Sequence, residues 1–256
     1  MTQTCRQWIV RCAGALVALA AAASPALAQR LTVAMDDSLG DAMKAVALEF
    51  TASHGGVSVS FLAGASGALL EQLGHDTTAD VLVVGDVQTL ELGEQRRLLV
   101  PAVLNVFASN ALVLVVPMSA GLPVQRLSDL ARPEVMRIAM GRPTSVPAGR
   151  YAREAINAQR LWSSLQRKVV IVESVHEVLD LVASSDADAG LVFATDVAAA
   201  AGRVRVVQTL PLGTPIHHAA AVVAGSRNPA LAREFVAYLR SEPARVVFRQ
   251  FGFGVP

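Results

Sequence analysis

A unit of apolar strand, polar loop and helix recurs along this chain, and that alternation leaves few folds open. Leu31-Thr32-Val33-Ala34-Met35 reads as a buried strand; Asp36-Asp37-Ser38 follows as a loop, and Leu39, Met43, Val46 and Phe50 then fall on one face of a helix. Residues 57–62 repeat the strand, and Gly64-Ala65-Ser66-Gly67 leads into a helix carrying Leu69, Leu70 and Leu73, which sets Ser66 at a helix N-terminus. Residues 80–86 are a third strand, followed by a short helix ending near Arg96-Arg97. Further strands are expected over 110–117, 169–172, 189–193, 204–207 and 218–224, with helices over 174–183, 229–239 and 243–251. Parallel strands buried on both faces need helices on both sides, so the expected class is α/β. The composition agrees, being 53% hydrophobic but only 5% aromatic, as a core of Ala, Val and Leu requires.

Residues 1–28 have a different character. Arg6 and Arg11 precede an apolar run over 13–23, and Ala26-Leu27-Ala28 closes it, the pattern of a secretory signal peptide cleaved near Ala28. The run falls short of the roughly 20 residues that span a bilayer. A soluble periplasmic protein beginning near Gln29 is therefore expected. Cys5 and Cys12 both lie in this segment, and Ile9-Val10-Arg11 before Cys12 is unlike a lipoprotein cleavage site. The mature chain is expected to hold no disulfide, thiol-bound metal or lipid anchor. Taking Arg6 and Arg11 from 22 basic residues leaves 20 against 21 acidic ones, a net charge of −1 and no footprint for nucleic acid.

The stretch over 137–156, RIAMGRPTSVPAGRYAREAI, joins a strand to a helix through Val146-Pro147-Ala148-Gly149. Proline suits the first helical position, and Ala148 and Gly149 expose the first amides, which lack partners inside the helix and favour an anion. An ordinary strand-to-helix turn accounts for this stretch equally well. With VPAGRYAREAI, however, come ESVHEVLDLV, DADAGLVFATDV and a tail Phe248-Arg249-Gln250-Phe251-Gly252-Phe253, in that order. Together they resemble the periplasmic molybdate-binding proteins of ABC importers over the whole mature chain.

The resemblance implies a type II periplasmic-binding fold of two lobes, each a mixed sheet flanked by helices, with the ligand cleft between them. Lobe 1 would comprise residues 29–109 and 217–256, and lobe 2 residues 110–216, with the first passage to lobe 2 expected near Leu127-Ser128-Asp129-Leu130. It implies a monomer binding molybdate or tungstate as an oxyanion, without cofactor or direct cation ligand, and serving a membrane permease and its ATPase. Carried over residue by residue, Ser38 and Ser66 match two hydroxyl donors, Ala148 and Val175 two backbone amides, and Phe193 a position usually held by a tyrosine. Two departures stand out. Phe193 has no hydroxyl, and Asp36 and Asp37 replace small residues before Ser38. A carboxylate beside a dianion repels it, so both are expected to face outward or cap the next helix; the alternative is that one accepts a proton from a ligand that still carries it, a phosphate-like or organic acid. A sensor on the same fold is a further reading. Catalysis is not expected: Gly64-Ala65-Ser66-Gly67-Ala68 lacks the second glycine of a nucleophile elbow, and nothing in the sequence brings His54, His75 or His176 to Ser66. His217 and His218 are strand neighbours whose side chains point to opposite faces, a poor start for a metal site.

Overall fold

The computed structural model describes residues 29–75, 78–101, 105–119, 121 and 123–256. The expected signal peptide, with Cys5 and Cys12, lies outside the described residues. In chain order the strands are β1 (Gln29–Asp36), β2 (Val57–Gly64), β3 (Val81–Val84), β4 (Asn105–Asn110), β5 (Leu112–Pro117), β6 (Ile138–Gly141), β7 (Val169–Val172), β8 (Ala189–Phe193), β9 (Val204–Leu210) and β10 (Ile216–Val222). The helices are α1 (Gly40–Ser53), α2 (Ser66–Leu73), α3 (Val87–Gln95), α4 (Pro147–Ala158), α5 (Trp162–Leu165), α6 (Val175–Ala183), α7 (Pro229–Tyr238) and α8 (Glu242–Gln250).

Two five-stranded sheets form, ordered β2-β1-β3-β10-β4 and β7-β6-β8-β5-β9. Each is mixed: β1 runs parallel to β2 and β3, and β6 parallel to β7 and β8, whereas β10 and β5 run antiparallel to both their neighbours. The chain leaves the first sheet at Ala111 and returns between Leu210 and Ile216. The passage at Ala111 corrects the one expected near Leu127, since β5 already belongs to the second sheet. Strand β4 was hidden in the sequence because its apolar centre, Val106-Phe107-Ala108, is bracketed by Asn105, Ser109 and Asn110 and shows no strand-length run.

The helices follow their apolar spacing. On α1, Met43, Val46 and Phe50 are fully buried, and Phe50 meets Phe235 of α7 edge to face with centroids 5.1 Å apart. Phe248 of α8 stacks obliquely on Phe107 of β4 at 4.9 Å, so the last two helices close over the sheet that begins the chain. A fully buried side chain of this size contributes about 1.5–3 kcal/mol. On α4, Tyr151, Ala152, Ala155 and Ile156 form the buried face over the second sheet. Among the described residues no helix is long and apolar enough to cross a membrane.

Candidate functional site

Ligands of open α/β sheets bind beyond the carboxyl ends of the strands, and here the ends of β1, β2, β6, β7 and β8 carry the five expected ligand residues and the two aspartates before Ser38. After β1 the chain makes a short 3-10 turn, Asp37–Leu39; after β2 it enters α2 at Ser66; after β6 it enters α4 at Pro147. After β7 it enters α6 at Val175, capped by Ser174, and after β8 it turns again over Ala194–Ala200. Loops from the two sheets touch. Gly67 N donates to Ser145 O at 2.9 Å. A side chain on Gly85, just past β3, would stand 3.0 Å from Pro147 Cγ and 3.3 Å from Asp36 Cγ, so glycine is what lets β1, β3 and the start of α4 share one corner. An added methyl on Gly149 would lie 2.0 Å from Gly141 O, which locks α4 against the end of its own strand.

Asp36 holds that corner. Its carboxylate accepts the backbone N–H groups of Ser38 and Ser66, each at 3.1 Å, and the Ser66 hydroxyl at 2.5 Å. Ser66 Oγ in turn accepts from Gly85 N at 3.0 Å. Asp36 is therefore inward and buried, which corrects the expectation that it faces solvent, while its bond from Ser38 N caps the 3-10 turn that follows, the other arrangement expected of it. The reason is local: the turn after β1 and the first amide of α2 both aim donors at one point, and the nearest acceptor is this side chain. Burial pushes its carboxyl up to about 6, against the pull of the Ser66 hydroxyl toward lower values.

Of the five expected ligand residues, Ser66, Ala148, Val175 and Phe193 are buried where the sheets meet, and Ser38 lines an open cavity of about 670 Å³ with Asp37, Lys44, His176, Thr195 and Asp196. Ala148 and Val175 stand in the first turns of α4 and α6, where an amide has no acceptor within the helix. Ser38 Oγ is a buried hydroxyl without an aligned hydrogen-bond partner, close enough to the Asp196 carboxyl to favour its charged form. Phe193 packs edge-on against His218 at 5.6 Å and near Tyr151 at 6.2 Å, presenting no donor.

Asp196 was not singled out in the sequence. It is buried, its Oδ2 accepts Phe193 N at 3.0 Å, and burial, reinforced by the charge of Asp36, drives its carboxyl up to about 8. The signal was available: an acid three residues past a strand end is the spacing that caps a following turn. Burial also raises Asp37, with His176 opposing. His218 is buried and pushed down to about 3, chiefly by desolvation, so it is neutral, with Nε2 3.1 Å from Asn110 Nδ2. Asn110 also donates to Thr195 Oγ1 at 2.8 Å, tying the point where the chain leaves the first sheet to the end of β8. A second link is the ion pair of Arg150 Nη2 on α4 with Asp86 at 2.8 Å, a contact of charges rather than an aligned hydrogen bond. Ser66 Oγ has Asp36 and Gly85 N as its hydrogen-bond partners and no histidine. Among the described residues no group of three His, Cys, Asp or Glu side chains could hold a metal ion.

Two mixed sheets with helices on both faces, joined by two passages and meeting at their strand ends, define a two-lobed type II periplasmic-binding fold. Residues 31–254 match the model of the bacterial extracellular solute-binding proteins, and the chain belongs to that family, a substrate-binding class rather than an enzymatic one. It is 31% identical over 237 residues to YvgL of Bacillus subtilis, which carries the name of an ABC transporter substrate-binding lipoprotein, covering 87% of this chain and 85% of that one. It is 30% identical over 258 residues to the molybdate-binding protein ModA of Escherichia coli, covering 98% and 99%. The substrate-binding domain from Clostridium difficile described as that of a molybdenum ABC transporter superposes with a TM-score of 0.68 at 29% identity, covering 89% of this chain and 99% of the other.

Proposed function

We propose that this protein is the periplasmic solute-binding component of an ABC importer and takes a tetrahedral oxyanion, molybdate or tungstate first, between its two sheets. The lobes would be residues 29–109 with 217–256, and residues 110–216, a division that the strand orders support. The ligand would be held by the hydroxyls of Ser38 and Ser66 and the amides of Ala148 and Val175, then passed to a membrane permease driven by its ATPase. The observation that carries this reading is the hydrogen bonding of Asp36: backbone and hydroxyl donors from two loops already converge on an oxygen anion at this corner. Charge-assisted bonds from such donors are among the stronger ones and need no cationic side chain. The kinship with the Escherichia coli relative, which binds molybdate, supports the choice of anion. Export with cleavage near Ala28 belongs to the same reading, and intact-mass measurement of the exported protein checks it.

Thermal unfolding in the presence of molybdate, tungstate, sulfate, phosphate and arsenate tests the proposal. A ligand at 100 times its dissociation constant adds about 2.7 kcal/mol to stability by mass action. The melting temperature is expected to rise with at least one of these anions between pH 5.5 and 8.5, and no rise with any of them at millimolar concentration would remove the oxyanion reading.

A further inference from the structure

Asp36 engages donors that the oxyanion reading assigns to this corner. Its carboxylate takes the N–H of Ser38, the N–H of Ser66 and the only proton of the Ser66 hydroxyl, whose lone pair is engaged by Gly85 N. An incoming oxyanion would have the same sign and seek the same donors. The groups facing the corner do not relieve this. Asp37 on the same turn and Asp196 from the turn after β8 are both acidic, and His176 at the start of α6 faces Asp37. Arg150 is engaged by Asp86, and Lys44, on the cavity wall, by Asp41 at 3.2 Å. Two oxygen anions this close settle only by sharing a proton, as paired carboxylates do.

Resting on the oxyanion reading, we propose that Asp36 makes this cleft a site for an oxyanion together with one proton. A tetrahedral oxyanion that carries a proton of its own at neutral pH, such as hydrogenphosphate or hydrogenarsenate, brings that proton with it, its O–H donating to the Asp36 carboxylate. A fully ionised anion such as molybdate or sulfate enters only when Asp36 itself holds the proton, and its O–H then donates to the anion. The burial that raises this carboxyl to about 6 places that protonation within reach of a mildly acidic periplasm.

The test is calorimetric titration of the wild type and of Asp36→Asn with molybdate and with phosphate from pH 5.5 to 8.5. Asparagine keeps the size and an acceptor oxygen while removing the charge. For the wild type, molybdate affinity is expected to fall on the order of tenfold per pH unit above the titration of Asp36, since each binding event takes up one proton. Phosphate should bind at least tenfold more tightly than molybdate at pH 8.5. In Asp36→Asn the pH slope for molybdate should vanish, its affinity at pH 8.5 should rise on the order of 100-fold, and the preference for phosphate should be lost. Molybdate binding that is flat with pH in the wild type overturns the proposal without touching the oxyanion reading. So does a slope that survives in Asp36→Asn, which would assign the proton to Asp196. Absence of binding by either anion, to either protein at any pH, removes both.

Discussion

Arg150 and Asp86 give the sharpest handle on how the two sheets are held together. Asp86 is fully buried and caps α3, its Oδ1 accepting Thr89 N at 2.7 Å and its Oδ2 the Thr89 hydroxyl at 2.9 Å, while Arg150 reaches it from α4 across the cleft. At 2.8 Å and an effective dielectric constant near 20, the Coulomb attraction is about 6 kcal/mol before desolvation. Removing one partner of a buried pair usually costs about 3–5 kcal/mol. Two features lower that figure here: the cap bonds to Thr89 survive, and Arg150 is 27% exposed, so water reaches the guanidinium side of the pair. A cost of about 2 kcal/mol is expected for Arg150→Met, falling mainly on the conformation in which the sheets approach. That corresponds to a dissociation constant weaker by about 30-fold, measured by calorimetry with whichever anion gives the largest thermal shift. The urea midpoint should drop by less than the roughly 1 M that the same energy would give were it lost from the whole fold. Combining Arg150→Met with Asp86→Asn should restore part of the loss, because the stranded charge is gone. An unchanged dissociation constant in Arg150→Met, with the midpoint lowered by a full 1 M, would show that the pair stabilises the fold and not the closed cleft.

Phe193→Tyr should weaken the ligand-free protein by about 1–3 kcal/mol, because the new hydroxyl enters a fully buried site without a partner, yet tighten oxyanion binding by on the order of 10 to 100-fold if the hydroxyl reaches the ligand; melting temperatures with and without anion, beside calorimetry, separate the two effects. Gly149→Ala forces a methyl to 2.0 Å from Gly141 O and should cost about 3 kcal/mol or more, read from urea denaturation. The pH dependence of stability follows from the buried acids. The carboxyl of Asp196 is raised to about 8, so the folded state keeps a proton that the unfolded chain has lost; this stabilisation is present below about 4 and disappears as pH rises through 8. His218, pushed down to about 3, acts in the opposite sense, but only below its unfolded value near 6.5. Between pH 6.5 and 8 the ligand-free protein should therefore lose stability, and Asp196→Asn, which still offers an acceptor to Phe193 N, should flatten that slope in denaturation at several pH values.

Much of the architecture could be read from runs such as 189–193, because strands buried on both faces have little that is polar to dilute the signal. Pro147 marked the start of α4 for an equally local reason, the fixed backbone of proline. β4 escaped because its pairing with β10 is a long-range event, imposed by a partner more than 100 residues away, and its own six residues are half polar. Among the site residues, Ser66 was placed at the start of a helix by its own loop, and that is where it lies. The orientation of Asp36 was legible only in part: its cap on the following turn comes from Ser38, two residues on, as the local sequence allows, whereas its burial comes from the donors of Ser66, thirty residues on, at a corner where Gly85 and Pro147 meet. Arg150 and Asp86 are unremarkable charges until the two sheets approach. Residues fixed by local geometry were thus legible, and those fixed by the meeting of the sheets were not.

The most direct measurement is the position of a bound anion. Crystals grown with tungstate at pH 5.5, where Asp36 can hold its proton, would locate tungsten by its anomalous scattering. One strong peak is predicted where the sheets meet, its oxygens within hydrogen-bond distance of Ser38 Oγ, Ser66 Oγ and the amides of Ala148 and Val175. A peak confined to surface arginines, or none at all with Asp36 still alone on the amides of Ser38 and Ser66, would contradict it.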